Sequence, residues 1–147
     1  MASSPPPEEY AQQASYYCAN LNGLVDRDTS HLFRGDRTRV YRGTLKREGT
    51  GASGVIQVAL KVVWFTPEGD GSIEHVLREV HVWSKLCHPN IAKLLGFVTE
   101  FDDTLSMVSE WMAKGNAYQY VQDQSVDPRP LVSRDSSMTV RDICENL

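Results

Sequence analysis

The sequence predicts an α+β fold in which an antiparallel sheet of about five strands packs against one main helix. Three observations support this prediction: several stretches have the apolar pattern of strands, one stretch has helical periodicity, and neighbouring strands are joined by hairpin-like loops. The predicted order is three strands, one helix and two strands. A chain of 147 residues suffices for one domain with a modest core.

The N-terminal residues 1–20 are rich in Ser, Pro, Gln, Glu and Ala. This composition predicts a disordered or loosely helical tail. Tyr10, Tyr16 and Tyr17 could be modified or could dock, but the composition favours solvated side chains.

The part of the chain that holds the first three predicted strands begins near Leu21. The strand pattern becomes clear over residues 39–45. A Gly-rich, charged segment over residues 46–54 predicts a hairpin connection to the next strand, residues 55–65. Residues 66–71 contain Pro, Gly and Asp and are predicted to be a loop.

The main helix is predicted to begin after an N-cap at Ser72 and to end before Pro89. Its apolar positions recur with helical spacing and should face the sheet. They are Ile73, Val76, Leu77, Val80, Trp83 and Leu86. The predicted polar face comprises Glu74, Arg78, His81 and Lys85.

Two further strands are predicted over residues 94–101 and 105–110, with a tight turn at residues 101–104 between them. A break at residues 114–116 precedes a short helical stretch, residues 117–121. We therefore expect three regions: a tail (1–20), a folded unit (21–122), and an irregular segment with the start of a helix (123–147).

Lys61 is the unusual residue of the third strand, because only Gln57 and Lys61 are polar between Val55 and Phe65. Such a strand is typically buried on both faces, and a buried lysine requires an anionic partner. Alternation places Lys61 on one face with Ala59 and Val63. The other face is wholly apolar and comprises Ile56, Val58, Leu60, Val62 and Trp64.

Glu79 is the candidate partner, because it lies at the flank of the apolar stripe of the helix and not on its polar face. A carboxylate on the buried side of a helix is costly unless it is paired, which favours a Lys61–Glu79 ion pair. Helix geometry alone equally allows Glu79 to extend into water at the edge of the stripe.

Composition excludes several other classes of function. The formal net charge is −4, and the basic residues form no stripe, which argues against a nucleic-acid footprint. No secretory signal pattern and no apolar run of about 20 residues is present, so we expect an intracellular, cytoplasmic protein without a membrane partner.

The three cysteines are odd in number and far apart, which argues against a disulfide framework and fits a reducing compartment. They are Cys18, Cys87 and Cys144. Cys87 and His88 are adjacent, but no second pair stands at ligand spacing, and a metal site is not expected.

The ordered motifs of this chain resemble those of the small lobe of eukaryotic protein kinases. Their sequences are most similar to tyrosine and tyrosine-kinase-like members. The motifs are residues 40–43, 58–61, Glu79, 86–91 and 107–116. The resemblance covers about residues 28–122 and implies a kinase-like ATP-binding lobe with a hinge, followed by the start of the second lobe.

The resemblance implies specific roles. Lys61 would hold the α- and β-phosphates of ATP, and Glu79 would orient Lys61. The adenine would lie between Leu32, Val40 and Ala59, with Ser109 as a small gatekeeper. The backbone of Glu110 and Met112 would bind the adenine edge. Asn116 would contact the ribose or cap a helix.

The glycine-rich loop departs from the family pattern. Its three glycine positions are Phe33, Gly35 and Thr38, so only the middle glycine is present. Glycines allow backbone N–H groups to approach phosphates closely, and Asp36 adds negative charge, so we expect weak or vestigial ATP binding. Nearby arginines could compensate for this charge: Arg34, Arg37 and Arg39.

This sequence contains no H-R-D motif and no D-F-G motif. Arg134 and Asp135 do not qualify, because Val140 stands where the metal-binding asparagine should follow. Residues 142–147 faintly resemble the middle of the helix that precedes the catalytic loop. We therefore expect a kinase lobe truncated before its catalytic loop, inactive alone and able to use Mg only with the second lobe. The alternative is a non-catalytic, pseudokinase-like module that binds another protein or kinase through its cleft or main helix.

Overall fold

The computed structural model describes residues 7–47, 54–64, 72–89 and 91–115, together with residues 119, 122, 124 and 125. This described part contains, in chain order, α1 (Pro7–Ala14), β1 (Val25–Arg34), β2 (Thr38–Lys46), β3 (Val55–Val63), α2 (Ile73–Lys85), β4 (Leu94–Val98) and β5 (Ser106–Glu110). The strands form one antiparallel sheet in the order β1-β2-β3-β5-β4. The expected α+β fold, with three strands before the main helix and two after it, is confirmed.

The connections between neighbouring strands are tight where the sequence contains turn residues. Gly35 N–H donates to the carbonyl of Thr38 at 2.7 Å and closes the β1–β2 hairpin. Before β5, Asp102 and Asp103 have φ values of 58° and 49°, and Thr104 N–H donates to Phe101. Aspartate tolerates this left-handed conformation, which confirms the predicted turn.

The sheet separates two groups of buried apolar side chains. The helix-side core contains Tyr10, Ala14, Val76, Leu77, Val80, Leu94, Phe97, Leu105 and Met107. The opposite core contains Leu21, Val25, Tyr41, Leu45, Val58, Leu60, Val62, Val98 and Val108. The domain is therefore a sheet with a helical layer on one side and loop segments on the other.

Strand β3 is not buried on both faces, which corrects the expectation from its composition. Val58, Leu60 and Val62 are fully buried in the opposite core, as their alternation predicts. Ala59 and Lys61 are only half-buried. The reason is that the helix-side core leaves this part of the face partly open.

The N-terminal segment contains a helix, as one of the two expected alternatives allowed, but it also packs against the domain. Tyr10 and Ala14 lie one helical turn apart on α1 and are both buried in the helix-side core. After α1, Phe97 N–H donates to Ala19, and Leu21 N–H donates to Phe97, at 2.9 and 2.8 Å. Packing against the core thus starts on α1, ahead of residue 21, where we expected the folded unit to begin.

Helix α2 matches the predicted amphipathic pattern, with Val76, Leu77 and Val80 buried. Ser72 occupies the N-cap position, but its side chain makes no capping hydrogen bond to the backbone. Its hydroxyl lies 3.1 Å from Nδ1 of His75 instead. Among the described residues, no helix has the length and apolar character needed to cross a membrane.

The last predicted segments fall mostly outside the described residues. These are the short helix over residues 117–121 and the irregular segment over residues 123–147. Asn116 and the positions around Val140 also lie outside them.

Candidate functional site

Lys61 and Glu79 form an ion pair in which the ammonium group donates to Oε1 of the carboxylate. Helix α2 therefore brings Glu79 to the lysine of β3, as the sequence predicted. The side chains remain 34% and 43% exposed, so Glu79 is not buried as its position on the helix suggested. A partly solvated pair contributes about 0–1 kcal/mol to stability. The main effect of this pair is therefore to fix the position of the Lys61 side chain.

The lysine face is the side of the sheet that carries Lys61, and the strand register defines its other members. Val40 on β2 and Met107 on β5 are the cross-strand partners of Lys61. Ala59 lies on the same face, two residues before Lys61, and pairs with Ser109. A small apolar surface thus lies directly beside an ammonium group.

Phe33 also belongs to the lysine face, a placement that sequence analysis missed. It pairs with Val40, and its ring is 55% exposed. A β-bulge lies before it, because His31 pairs with Tyr41 while Leu32 has no partner in the register. The hairpin register could have identified Phe33, but the bulge shifts the alternation by one residue.

Leu32 and Gly35 lie near the end of β1, on either side of Phe33 and Arg34. Leu32 is 61% exposed and stands in the bulge, so the strand ladder does not set it beside Val40. Gly35 is part of the turn that joins β1 to β2. The structure therefore places Phe33, and not Leu32, in register with Val40.

Two of the three arginines near the turn are not available to the lysine face. Arg39 pairs with Val62, and its guanidinium lies 4.6 Å from the centre of the Trp64 ring. Arg34 is the cross-strand partner of Arg39, so both project from the opposite face. This corrects the expectation that all three could offset the charge of Asp36.

The end of β5 is held close to the residue that precedes β4. Glu110 N–H donates to the carbonyl of Lys93 at 3.2 Å. Ser109 is 8% exposed, which makes it a small buried residue behind Ala59. The Met112 carbonyl accepts a hydrogen bond from Gly115 N–H at 3.0 Å, and its second lone pair can accept another.

Other reactive groups of the described residues do not gather into a second site. Burial raises the pKa of the Cys18 thiol to about 11, so this cysteine is a poor nucleophile at neutral pH. Within the described ranges, no group of three or more His, Cys, Asp or Glu residues could hold a metal ion. Cys87 is exposed and free.

A separate open groove runs along α2. It includes Glu79 but neither Lys61 nor the apolar residues beside it. The Trp83 indole is fixed within the groove, because its Nε1–H donates to the carbonyl of Ala92 at 2.7 Å. The groove is lined by His75, Arg78, Glu79, Val82, Trp83, Leu86, Ile91 and Ala92.

Comparison with known proteins identifies the family. The model for protein tyrosine and serine/threonine kinase matches residues 27–147. The chain therefore belongs to the protein kinase family. The match extends past residue 122, where the motif resemblance ends.

Individual relatives include kinases of both substrate classes. The chain is 32% identical over 91 residues to tyrosine-protein kinase csk-1 of Caenorhabditis elegans, which covers 62% of this chain and 16% of that protein. It is 31% identical over 100 residues to receptor-like kinase LIP1 of Arabidopsis thaliana, covering 68% and 14%. It is 37% identical over 65 residues to serine/threonine-protein kinase SIK1 of Rattus norvegicus, covering 44% and 8%. The chain thus spans less than a fifth of the length of each of these relatives.

Proposed function

We propose that this chain binds ATP on the lysine face, with Lys61 on the phosphates and Glu79 holding Lys61 in place. The observation that carries the proposal is the Lys61–Glu79 pair beside the half-buried, apolar Val40 and Ala59. An ammonium group suits a phosphate, and a flat apolar surface suits a purine ring. Membership of the kinase family supports the same assignment.

The adenine would lie against Val40 and Ala59, with Leu32 at the open end. The backbone of Glu110 and Met112 would bind its polar edge. Ser109 would lie behind it as a small gatekeeper.

The β1–β2 turn should limit ATP affinity. Asp36 is exposed in this turn, and the neighbouring Arg34 and Arg39 project from the opposite face. Phosphates near the turn would therefore meet a carboxylate without the compensation of these two arginines. We expect ATP to bind weakly.

Phosphoryl transfer needs a metal, a base and the phosphates held together. The H-R-D and D-F-G residues that supply the base and the metal ligands in the family do not occur in this sequence. We therefore propose that the chain alone binds ATP without transferring phosphate, and that Mg would be bound only together with a second lobe.

The free thiols of Cys18 and Cys87 accord with a cytoplasmic location.

A thermal-shift titration with Mg-ATP tests the proposal. Wild-type protein should gain stability with increasing nucleotide, because a ligand that binds only the folded state stabilises it. Lys61→Met should remove most of this gain. A stabilisation that persists in Lys61→Met, or none in the wild type, would contradict the proposal.

Lys46→Met is the matched control for this titration. Lys46 also forms an ion pair on the sheet, with Asp26 at 2.9 Å, but it lies at the far end of β2. Its substitution should leave the nucleotide response unchanged. Equal losses in both lysine variants would indicate a general charge effect.

A second candidate function is a non-catalytic module that binds another protein or kinase. The observation that favours it is the groove along α2, in which the apolar Val82 is 54% exposed. Sedimentation of the chain with and without Mg-ATP tests this candidate, with Val82→Glu as the control. A stable monomer that is indifferent to nucleotide, in wild type and variant alike, would count against it.

A further inference from the structure

Tyr10 anchors the N-terminal helix in the interior of the domain. Its side chain is 1% exposed, and its hydroxyl donates to the carbonyl of Asp103 at 2.9 Å. Burial, reinforced by the charge of Asp103, raises the pKa of Tyr10. Since the ordinary pKa of tyrosine is already about 10, the phenol is protonated at neutral pH and acts as a donor.

The core that receives Tyr10 also supports both members of the Lys61–Glu79 pair. Val80 of α2 directly follows Glu79 and is fully buried in the helix-side core. Met107 of β5 is the cross-strand partner of Lys61 and belongs to the same core. Tyr10 therefore shares a closely packed core with a direct neighbour of each member of the pair.

The segment that follows Tyr10 is attached to the same two layers. The Tyr17 ring stacks on His81 of α2, with ring centres 4.4 Å apart and an interplanar angle of 20°. Beyond it, the backbone of Ala19 pairs with Phe97 of β4. The N-terminal segment thus bridges α2 and the sheet at two further points.

We propose that Tyr10 is a positioning residue that holds α2 against the sheet and so keeps Glu79 within reach of Lys61. Its effect on the ion pair is independent of nucleotide. Its effect on ATP binding rests on the proposed function above. The N-terminal helix thereby supports the proposed nucleotide site from outside, since it carries no residue of the lysine face.

Competitive acylation of lysines tests this proposal in the full chain without nucleotide. Lys61 is half-buried and paired, so acetic anhydride should modify it slowly relative to Lys46, which is an internal reference on the same sheet. Tyr10→Ala should raise the labelling of Lys61 several-fold relative to Lys46. Glu79→Gln should raise the labelling of Lys61 by a similar factor. In the double variant Tyr10→Ala/Glu79→Gln, the rise should not exceed that of the stronger single substitution.

Matched variants separate positioning from a general loss of stability. Val98→Ala creates a cavity in the opposite core, on β4 and not next to either lysine, and should leave the labelling ratio of Lys61 to Lys46 unchanged. Tyr10→Phe keeps the ring and should largely preserve the ratio. If Tyr10→Ala does not fold, Tyr10→Leu replaces it and should raise the ratio by a smaller factor.

Two results would overturn the proposal. One is an unchanged ratio in folded Tyr10→Ala or Tyr10→Leu. The other is an equal rise in Val98→Ala, which would show that any loss of packing loosens the pair.

A parallel titration with Mg-ATP separates failure of this proposal from failure of the proposed function. If Tyr10→Ala raises Lys61 labelling and wild-type protein does not bind ATP, the positioning role stands and the nucleotide assignment is wrong. If wild-type protein binds ATP and the labelling ratio does not respond to Tyr10, the positioning role is wrong.

Discussion

The two faces of the sheet are built on the same strands but differ in composition and closure. On β3, Val58, Leu60 and Val62 enter the opposite core and are fully buried. The intervening Ala59 and Lys61 face the other side and remain half-buried. Within β3, therefore, one face supplies packing energy, while the other keeps a charged pair accessible. Because successive side chains of a strand point to opposite faces, one strand can place stabilising residues on one face and functional residues on the other.

Substitutions at adjacent positions of β3 should show the largest difference in stability between its two faces. Leu60→Ala removes a fully buried side chain and should lower the free energy of unfolding by about 2–5 kcal/mol. Lys61→Met should change it by no more than about 1 kcal/mol, because its ion pair is partly solvated. Urea denaturation measures both. A loss in Lys61→Met as large as that in Leu60→Ala would mean that the Lys61 side of β3 also carries stability.

The approach of the N-terminal segment to the sheet can be tested at Gly96. A Cβ there would collide with the carbonyl oxygen of Ala19 and lie 2.8 Å from Cδ1 of Leu21. Gly96→Ala should therefore cost about 1–3 kcal/mol in the same denaturation assay. Gly35→Ala is the control, since its nearest contact is an ordinary 3.5 Å and its cost should stay within about 1 kcal/mol. Equal effects would argue against close packing of the N-terminal segment on β4.

Polar groups in the sheet should show the smallest effects, with opposite signs. Ser106 has a fully buried hydroxyl that finds no hydrogen-bond partner among the described residues. Ser106→Ala should therefore leave stability unchanged or raise it by up to about 1 kcal/mol. Thr104 donates its hydroxyl to the carbonyl of Val63 at 2.6 Å, so Thr104→Val should cost about 1 kcal/mol. A clear loss in Ser106→Ala would contradict this assignment.

The sequence predicts the elements in which apolar and polar residues recur in a long, regular pattern. The alternation around Lys61 and the helical stripe of α2 are long and regular, so both elements and their pairing could be inferred. The partial exposure of Glu79 could not, because it depends on how far α2 is rotated about its axis.

Two parts of the structure lie beyond what the pattern predicts. Helix α1 spans eight residues, and a helix this short is marginal without tertiary contacts. Its burial depends on Tyr10 and Ala14 meeting a core formed by distant segments. Phe33 was missed for a similar reason, since its face depends on the register beyond a bulge at Leu32.

A double-mutant cycle on ATP affinity tests the central claim most directly. Calorimetric titration of Mg-ATP would compare wild type, Lys61→Met, Glu79→Gln and the double variant. If Glu79 acts by holding Lys61 on the phosphates, each single substitution weakens binding, and Glu79→Gln has no further effect once Lys61 is replaced. Fully additive losses, or unchanged affinity in Lys61→Met, would contradict the account.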